Sequence, residues 1–112
     1  MHDHAYPPPS KEASDRRREL APEVEKAFRE FSKAAFADGA LPRKLKQLIA
    51  VAVAHTTQCP YCIRNHTQGA LRDGATEREI MEAIWVAAEM RAGGAFAHSL
   101  VALDAMAEAR GK

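Results

Sequence analysis

Apolar and polar positions alternate along most of this chain with the period of a helix. After Pro22, Val24, Ala27, Phe28, Phe31, Ala35 and Phe36 recur every three or four residues, the spacing of one helical face, and Asp38-Gly39 closes that run. A second helix is predicted from Pro42 to about Thr57, with Leu41, Leu45, Leu48, Ile49, Ala52 and Val53 as its apolar stripe and Arg43, Lys44 and Lys46 on its wet side. Within it, Leu48 to Ala54 is apolar almost all round, so burial on more than one side is expected. A third helix runs from Pro60 to about Arg72 and is stopped by Gly74. Thr76 and Glu79 form a capping box that opens a fourth, reaching about Met90, with Ile80, Met81, Ile84, Trp85 and Ala88 on one face. Gly93-Gly94 predicts a break before a last helix carrying Phe96, Leu100, Leu103 and Ala107.

Upstream, Ser14 is the candidate cap of a short helix from Asp15 to Leu20. Residues 1–12, with Pro7, Pro8 and Pro9 and the pair His2 and His4, read as a flexible arm preceding a domain at 13–112. No period-two strand pattern and no internal repeat interrupts this. The expectation is an all-α single-domain bundle of about six helices, with the phenylalanines, Trp85 and the methionines in its core.

Composition narrows the partners. The 112 residues carry 16 basic and 15 acidic side chains, a net charge of +1, which gives no electrostatic reason to expect nucleic acid or an acidic membrane. No apolar run reaches the ~18 residues of a membrane helix, and no apolar signal region opens the chain. Two cysteines do not make a secreted disulfide framework, so the cytoplasm is the expected compartment.

Those cysteines, Cys59 and Cys62, stand in Gln-Cys-Pro-Tyr-Cys-Ile-Arg-Asn-His, with His66 one helical turn after Cys62. Pro60 suits the first turn of a helix. The positive end of a helix stabilises a thiolate, and an imidazole one turn on can take a thiol proton. The spacing therefore points to a redox dithiol with its own base. Zinc held by Cys59, Cys62, His66 and either His55 or His98 is the competing reading, weakened because structural zinc usually draws on two cysteine knuckles. His55 and His98 otherwise read as core or interface histidines. No metal or other cofactor is called for.

Cys-Pro-Tyr-Cys also looks like a glutaredoxin active site, but it follows an alanine-rich helix here, without the strand that would confirm that fold. The ordered set from Leu41 to Leu103 resembles the alkylhydroperoxidase D-like, or carboxymuconolactone decarboxylase, superfamily. That set comprises the Gln47-Leu-Ile-Ala-Val-Ala-Val-Ala helix, Cys-Pro-Tyr-Cys with His66, Gly69-Ala-Leu, Gly74-Ala-Thr, Glu82-Ala-Ile-Trp-Val-Ala-Ala and Arg-Ala-Gly-Gly-Ala before His98. The peroxidase motif of that superfamily is Glu, eleven residues, Cys-x-x-Cys, three residues, His. Cys59, Cys62 and His66 match it, whereas Gln47 stands at the Glu position. A glutamine orients an imidazole or a water but carries no proton. Glu82, ahead of Glu89, is the candidate to supply the missing carboxylate, because it lies between two apolar stripes.

The resemblance implies a small all-helical subunit and a thiol peroxidase or disulfide reductase. In it His66 deprotonates Cys62, Cys62 attacks a peroxide, Cys59 closes the disulfide, and an external dithiol, such as a lipoylated protein, reduces it. A decarboxylase-type lyase and a non-enzymatic redox sensor are the alternatives on the same scaffold. The resemblance also implies a homo-oligomer, a hexamer built from dimers. The two-sided apolar stretches Leu48–Ala54 and Ala83–Met90 give an independent reason for self-association.

Overall fold

The computed structural model describes residues 6–111, so His2 and His4 lie outside the described residues. Five α-helices follow one another, with no strand among the described residues: α1 (Lys11–Leu20), α2 (Pro22–Phe36), α3 (Arg43–Thr57), α4 (Pro60–Arg72) and α5 (Glu77–Arg110).

Local chemistry sets most of the boundaries. α2 and α4 each begin with a proline in the first turn, where the missing N–H costs nothing. α4 ends where Gly74 takes φ 95°, and the Ala75 N–H returns to the Ala70 carbonyl at 2.8 Å. The capping box at the start of α5 is present in both directions: Thr76 Oγ1 accepts from the Glu79 N–H at 3.0 Å, and Glu79 accepts from the Thr76 N–H at 2.8 Å.

Two expected boundaries move. α1 begins at Lys11, because Ser10 rather than Ser14 caps it by accepting from the Ala13 N–H. Gly93-Gly94 does not break the last helix, and the expected six segments become five. A helical glycine costs about 1 kcal/mol against alanine, which lowers stability without stopping the helix. With no proline following and no residue of α5 in the left-handed region, nothing turns the chain there, and α5 runs unbroken for 34 residues.

The centre of the molecule is α3, which packs against α4 and α5, while α2 touches it more lightly and α1 packs on α2. Ion pairs fasten the ends: Arg43 to Asp73 at 3.0 Å joins α3 to the end of α4, and Lys44 to Glu79 at 2.9 Å joins it to the start of α5. Arg91 donates to the Thr56 carbonyl at 2.6 Å, holding α5 to the far end of α3.

The core is small: Val51, Ala54, Ala70, Ala75, Ile80 and Ala87, with Leu48 and Ile84 packed beside it. The α3 stripe is therefore corrected. Gln47, Val51 and Ala54 face inward, whereas Leu45, Ile49 and Val53 face out. Phe28, Phe31, Trp85, Met81 and Met90, all expected in the core, are exposed, Trp85 to 68%. The periodicity identifies an apolar face correctly; it cannot say whether this chain or another covers it.

Candidate active site

The site is built where α3 hands over to α4. Gln58 caps α3 in the left-handed conformation, φ 57°, which turns the chain sharply enough for Cys59 to start the next helix. Cys59 is the N-cap of α4, and its Sγ accepts the Cys62 N–H at 3.2 Å. Cys59 and Cys62 are joined as a disulfide with their Cα atoms 5.2 Å apart, a separation well suited to that bond. Both are partly buried. In the reduced form, the N–H that now points at the Cys59 sulfur would stabilise negative charge on it.

His66 lies one turn beyond Cys62 on α4 and meets Gln47 from α3, with Nδ1 2.9 Å from the Gln47 Oε1. An amide oxygen only accepts, so Nδ1 carries the hydrogen and Nε2 is left with its lone pair. Gln47 is the buried polar residue of the core region, 6% exposed, and its amide is directed at this one imidazole. Phe36, at the end of α2, stacks on the imidazole with ring centroids 4.9 Å apart and planes 14° from parallel. Burial holds the His66 pKa below its ordinary value of 6.5, which favours the neutral, proton-accepting ring.

His66, Gln47, Asn65 and Phe36 lie along an open cleft of about 770 Å³ between α2 and the α3–α4 pair. Its wall is apolar at Val24 and Phe28, and it carries Arg17, Arg29, Lys33, Arg43 and Arg72 against the single carboxylate of Glu25. Arg29 is paired with Glu25 and Arg43 with Asp73, while Lys33 and Arg72 have no carboxylate partner among the described residues. On the other side, the Tyr61 hydroxyl, between the two cysteines, donates to the Pro7 carbonyl at 2.7 Å, and Tyr6 packs edge-on against the Tyr61 ring.

The structure brings together Gln47, Cys59, Cys62 and His66 at the junction of two adjacent helices. It does not bring Glu82 to them. That side chain is 76% exposed and faces Arg78 at 4.0 Å, so the burial expected for it among apolar neighbours is absent, and Glu89 is exposed as well. Among the described residues no group of three His, Cys, Asp or Glu side chains could hold a metal ion. His55 and His98 each direct Nδ1 to a carbonyl of their own helix, Val51 and Gly94, both at 2.8 Å. Sequence reasoning missed Phe36 as a site residue, because a phenylalanine in an apolar stripe carries no local sign that it will stack on a histidine 30 residues later.

The family model for the carboxymuconolactone decarboxylase family matches residues 22–105, about three quarters of the chain, including Phe36, Gln47, both cysteines and His66. The chain belongs to the carboxymuconolactone decarboxylase family. A Paracoccus denitrificans protein, uncharacterized protein 4 of the cox locus, is 61% identical over 88 residues, covering 79% of each chain. An uncharacterized protein of Cupriavidus necator is 42% identical over 72 residues, 64% of each. Among solved structures, a family protein from Legionella pneumophila superposes with TM-score 0.67 at 38% identity over 70% of each chain. A Methanobacterium thermoautotrophicum protein superposes at 0.70 and 40% identity over 74% of this chain and 93% of its own. A more distant family member from Thermotoga maritima, for which involvement in the antioxidative response has been suggested, gives 0.55 at 26% identity over 72% of this chain and 93% of its own. Family membership carries the fold. Within that fold, the Cys59–Cys62 pair, the His66 imidazole and the Gln47 amide lie together at the junction of α3 and α4.

Proposed function

We propose that this family member is a thiol-dependent peroxidase or disulfide reductase whose working group is the Cys59/Cys62 pair with His66 as its base. The observation that carries the reading is the position of the pair at the start of α4, with an imidazole one turn on that burial keeps neutral and Gln47 orients.

In the reduced enzyme, His66 Nε2 takes the Cys62 proton, directly or through a water. The Cys62 thiolate attacks one peroxide oxygen. The O–O bond breaks, Cys62 becomes a sulfenic acid, and the other oxygen leaves as water or an alcohol after taking a proton. The Cys59 thiolate, favoured by the Cys62 N–H, then attacks the Cys62 sulfur, forming the disulfide and releasing water. A dithiol from outside closes the cycle. Its thiolate attacks Cys62 and expels Cys59, the better leaving group at the helix end, and its second thiol then displaces Cys62. A lipoyl group on a protein is a dithiol of the required kind. Gln47 positions the imidazole and moves no proton. Glu82, exposed and turned to Arg78, has no part in this scheme.

A lyase acting on an organic anion is the second reading, favoured by Lys33 and Arg72 beside His66 in the cleft. Self-association, with a hexamer as the expected form, and a reducing cytoplasmic setting complete the proposal. No helix among the described residues is long and apolar enough to cross a membrane.

The deciding experiment measures consumption of tert-butyl hydroperoxide with dihydrolipoamide as reductant. Wild type should turn over, and Cys59→Ser and Cys62→Ser should each stop turnover. Only Cys59→Ser should leave a trappable sulfenic acid. Turnover unaffected by both substitutions would refute the dithiol, and no turnover by wild type would refute the peroxidase and leave the lyase reading.

A further inference from the structure

Gly69 follows His66 by three residues on α4, on the face turned to α3. It is buried, and the side chain opposite it is Gln47. A Cβ built on Gly69 would lie 2.9 Å from Cδ, from Oε1 and from Nε2 of Gln47, closer than a Cβ ordinarily comes to any heavy atom. All three terminal atoms of the amide are involved, so rotation of the amide about its own axis gives no relief. The amide must move away by about half an ångström or more to reach ordinary contact, and a shift of that size lengthens or misdirects the 2.9 Å bond it makes to His66 Nδ1.

We propose that Gly69 is a positioning residue. Its missing side chain is the seat of the Gln47 amide, and through that amide it holds neutral His66 as the Nδ1–H tautomer with Nε2 free as the base. Phe36 fixes the plane of the ring, the Gln47 oxygen fixes which nitrogen holds the hydrogen, and Gly69 fixes the oxygen. The clash is with the far end of a flexible side chain and not with backbone, so an added methyl group should displace the amide before it unfolds the helix pair. The consequence for catalysis rests on the function proposed above; the tautomer does not.

The test is nitrogen-15 NMR of histidine-labelled full-length protein above the His66 pKa, where the two ring-nitrogen shifts report the tautomer. Wild type should show the Nδ1–H form. Gly69→Ala should lose the bias that one hydrogen bond of ordinary net strength imposes, a change of about 2- to 12-fold in the tautomer ratio. Gln47→Ala should give the same change with Gly69 intact. The double variant Gly69→Ala/Gln47→Ala should recover the melting temperature lost by Gly69→Ala, because the crowding is gone, yet keep the altered tautomer. A folded Gly69→Ala with the wild-type tautomer overturns the proposal. If Gly69→Ala does not fold, the double variant must fold and Gln47→Ala must show the altered tautomer; an unfolded double variant, or the wild-type tautomer in Gln47→Ala, overturns the proposal. No peroxide enters this measurement, so a protein without peroxidase activity and with the expected tautomer shift would refute the function and leave the role of Gly69 standing.

Discussion

At the scale of single residues, burial sets the pH range of His66, and the uncharged Gln47 amide beside it puts no charge in opposition. Burial lowers the His66 pKa, so the ring is neutral from below its ordinary 6.5 upward. The unfolded chain binds this proton more readily than the folded one between the two values. Stability therefore rises as pH rises through that window and falls as pH drops from 6.5 toward the folded value. The acid limb of peroxidase activity, read from kcat/KM against pH, should accordingly lie below 6.5. Gln47→Glu should move that limb upward, because a carboxylate beside Nδ1 favours the imidazolium, and should raise the rate above the limb by making Nε2 a stronger base. A limb that does not move would separate His66 from the rate. Cys59, Cys62, His66 and Gln47 were all legible in the sequence, because their spacing along two helices is itself the geometry. Phe36 was not, since stacking between elements leaves no mark on spacing. Glu82 was misplaced for a related reason: lying between two apolar stripes predicts burial only if both stripes are covered within the chain, and the structure leaves Met81, Trp85 and Val86 exposed around it.

At the scale of elements, the caps between α4 and α5 were the legible part, whereas the cap of α1 is Ser10 and not Ser14. Thr76-x-x-Glu79 and Gly74 state their helix boundaries chemically, and both are where the sequence puts them. Removing the cap by Thr76→Ala should cost about 1 kcal/mol in urea unfolding at fixed protein concentration. The Gly93-Gly94 pair misleads because glycine reports a low helix preference and not a direction of turn. Gly94 is interior to α5, and a Cβ there meets no atom within 4 Å of its own chain. Gly94→Ala should therefore stabilise the protein by up to about 1 kcal/mol, whereas an alanine at a true break would not. Urea midpoints at equal slope would measure it, and a midpoint lowered by the substitution would argue that the site abuts another surface.

For the whole molecule, the dimensions favour self-association. The radius of gyration is 19.5 Å, where a compact chain of this length has about 13 Å. The accessible surface is 9174 Å², against about 6,100 Å² for a compact monomer of this mass. The difference is larger than the surface a standard protein–protein interface removes from one partner, about 800 Å². Exposed apolar side chains lie on several helices: Val24, Phe28 and Phe31 on α2, Ile49 and Val53 on α3, Met81, Trp85, Val86 and Met90 on the inner half of α5, and Phe96, Leu100, Leu103 and Met106 on its outer half, with Phe96 82% exposed. Light scattering on a size-exclusion column should return a multiple of 12.3 kDa, six being the expected number, and a mass of one chain at micromolar concentration would refute the assembly.

The outer half of α5 has a consequence in time as well as in space. From residue 95 to residue 111 every position is exposed. A helix of that length without a packing partner is marginal in water. Its amide hydrogens should thus be protected from exchange only while a neighbouring subunit covers them. Deuterium uptake in residues 95–111 should quicken as the protein is diluted, while uptake around Val51, Ala54 and Ala70 lags behind. This outer half of α5 would then act as a clock for subunit dissociation, readable amide by amide without any label on the dithiol.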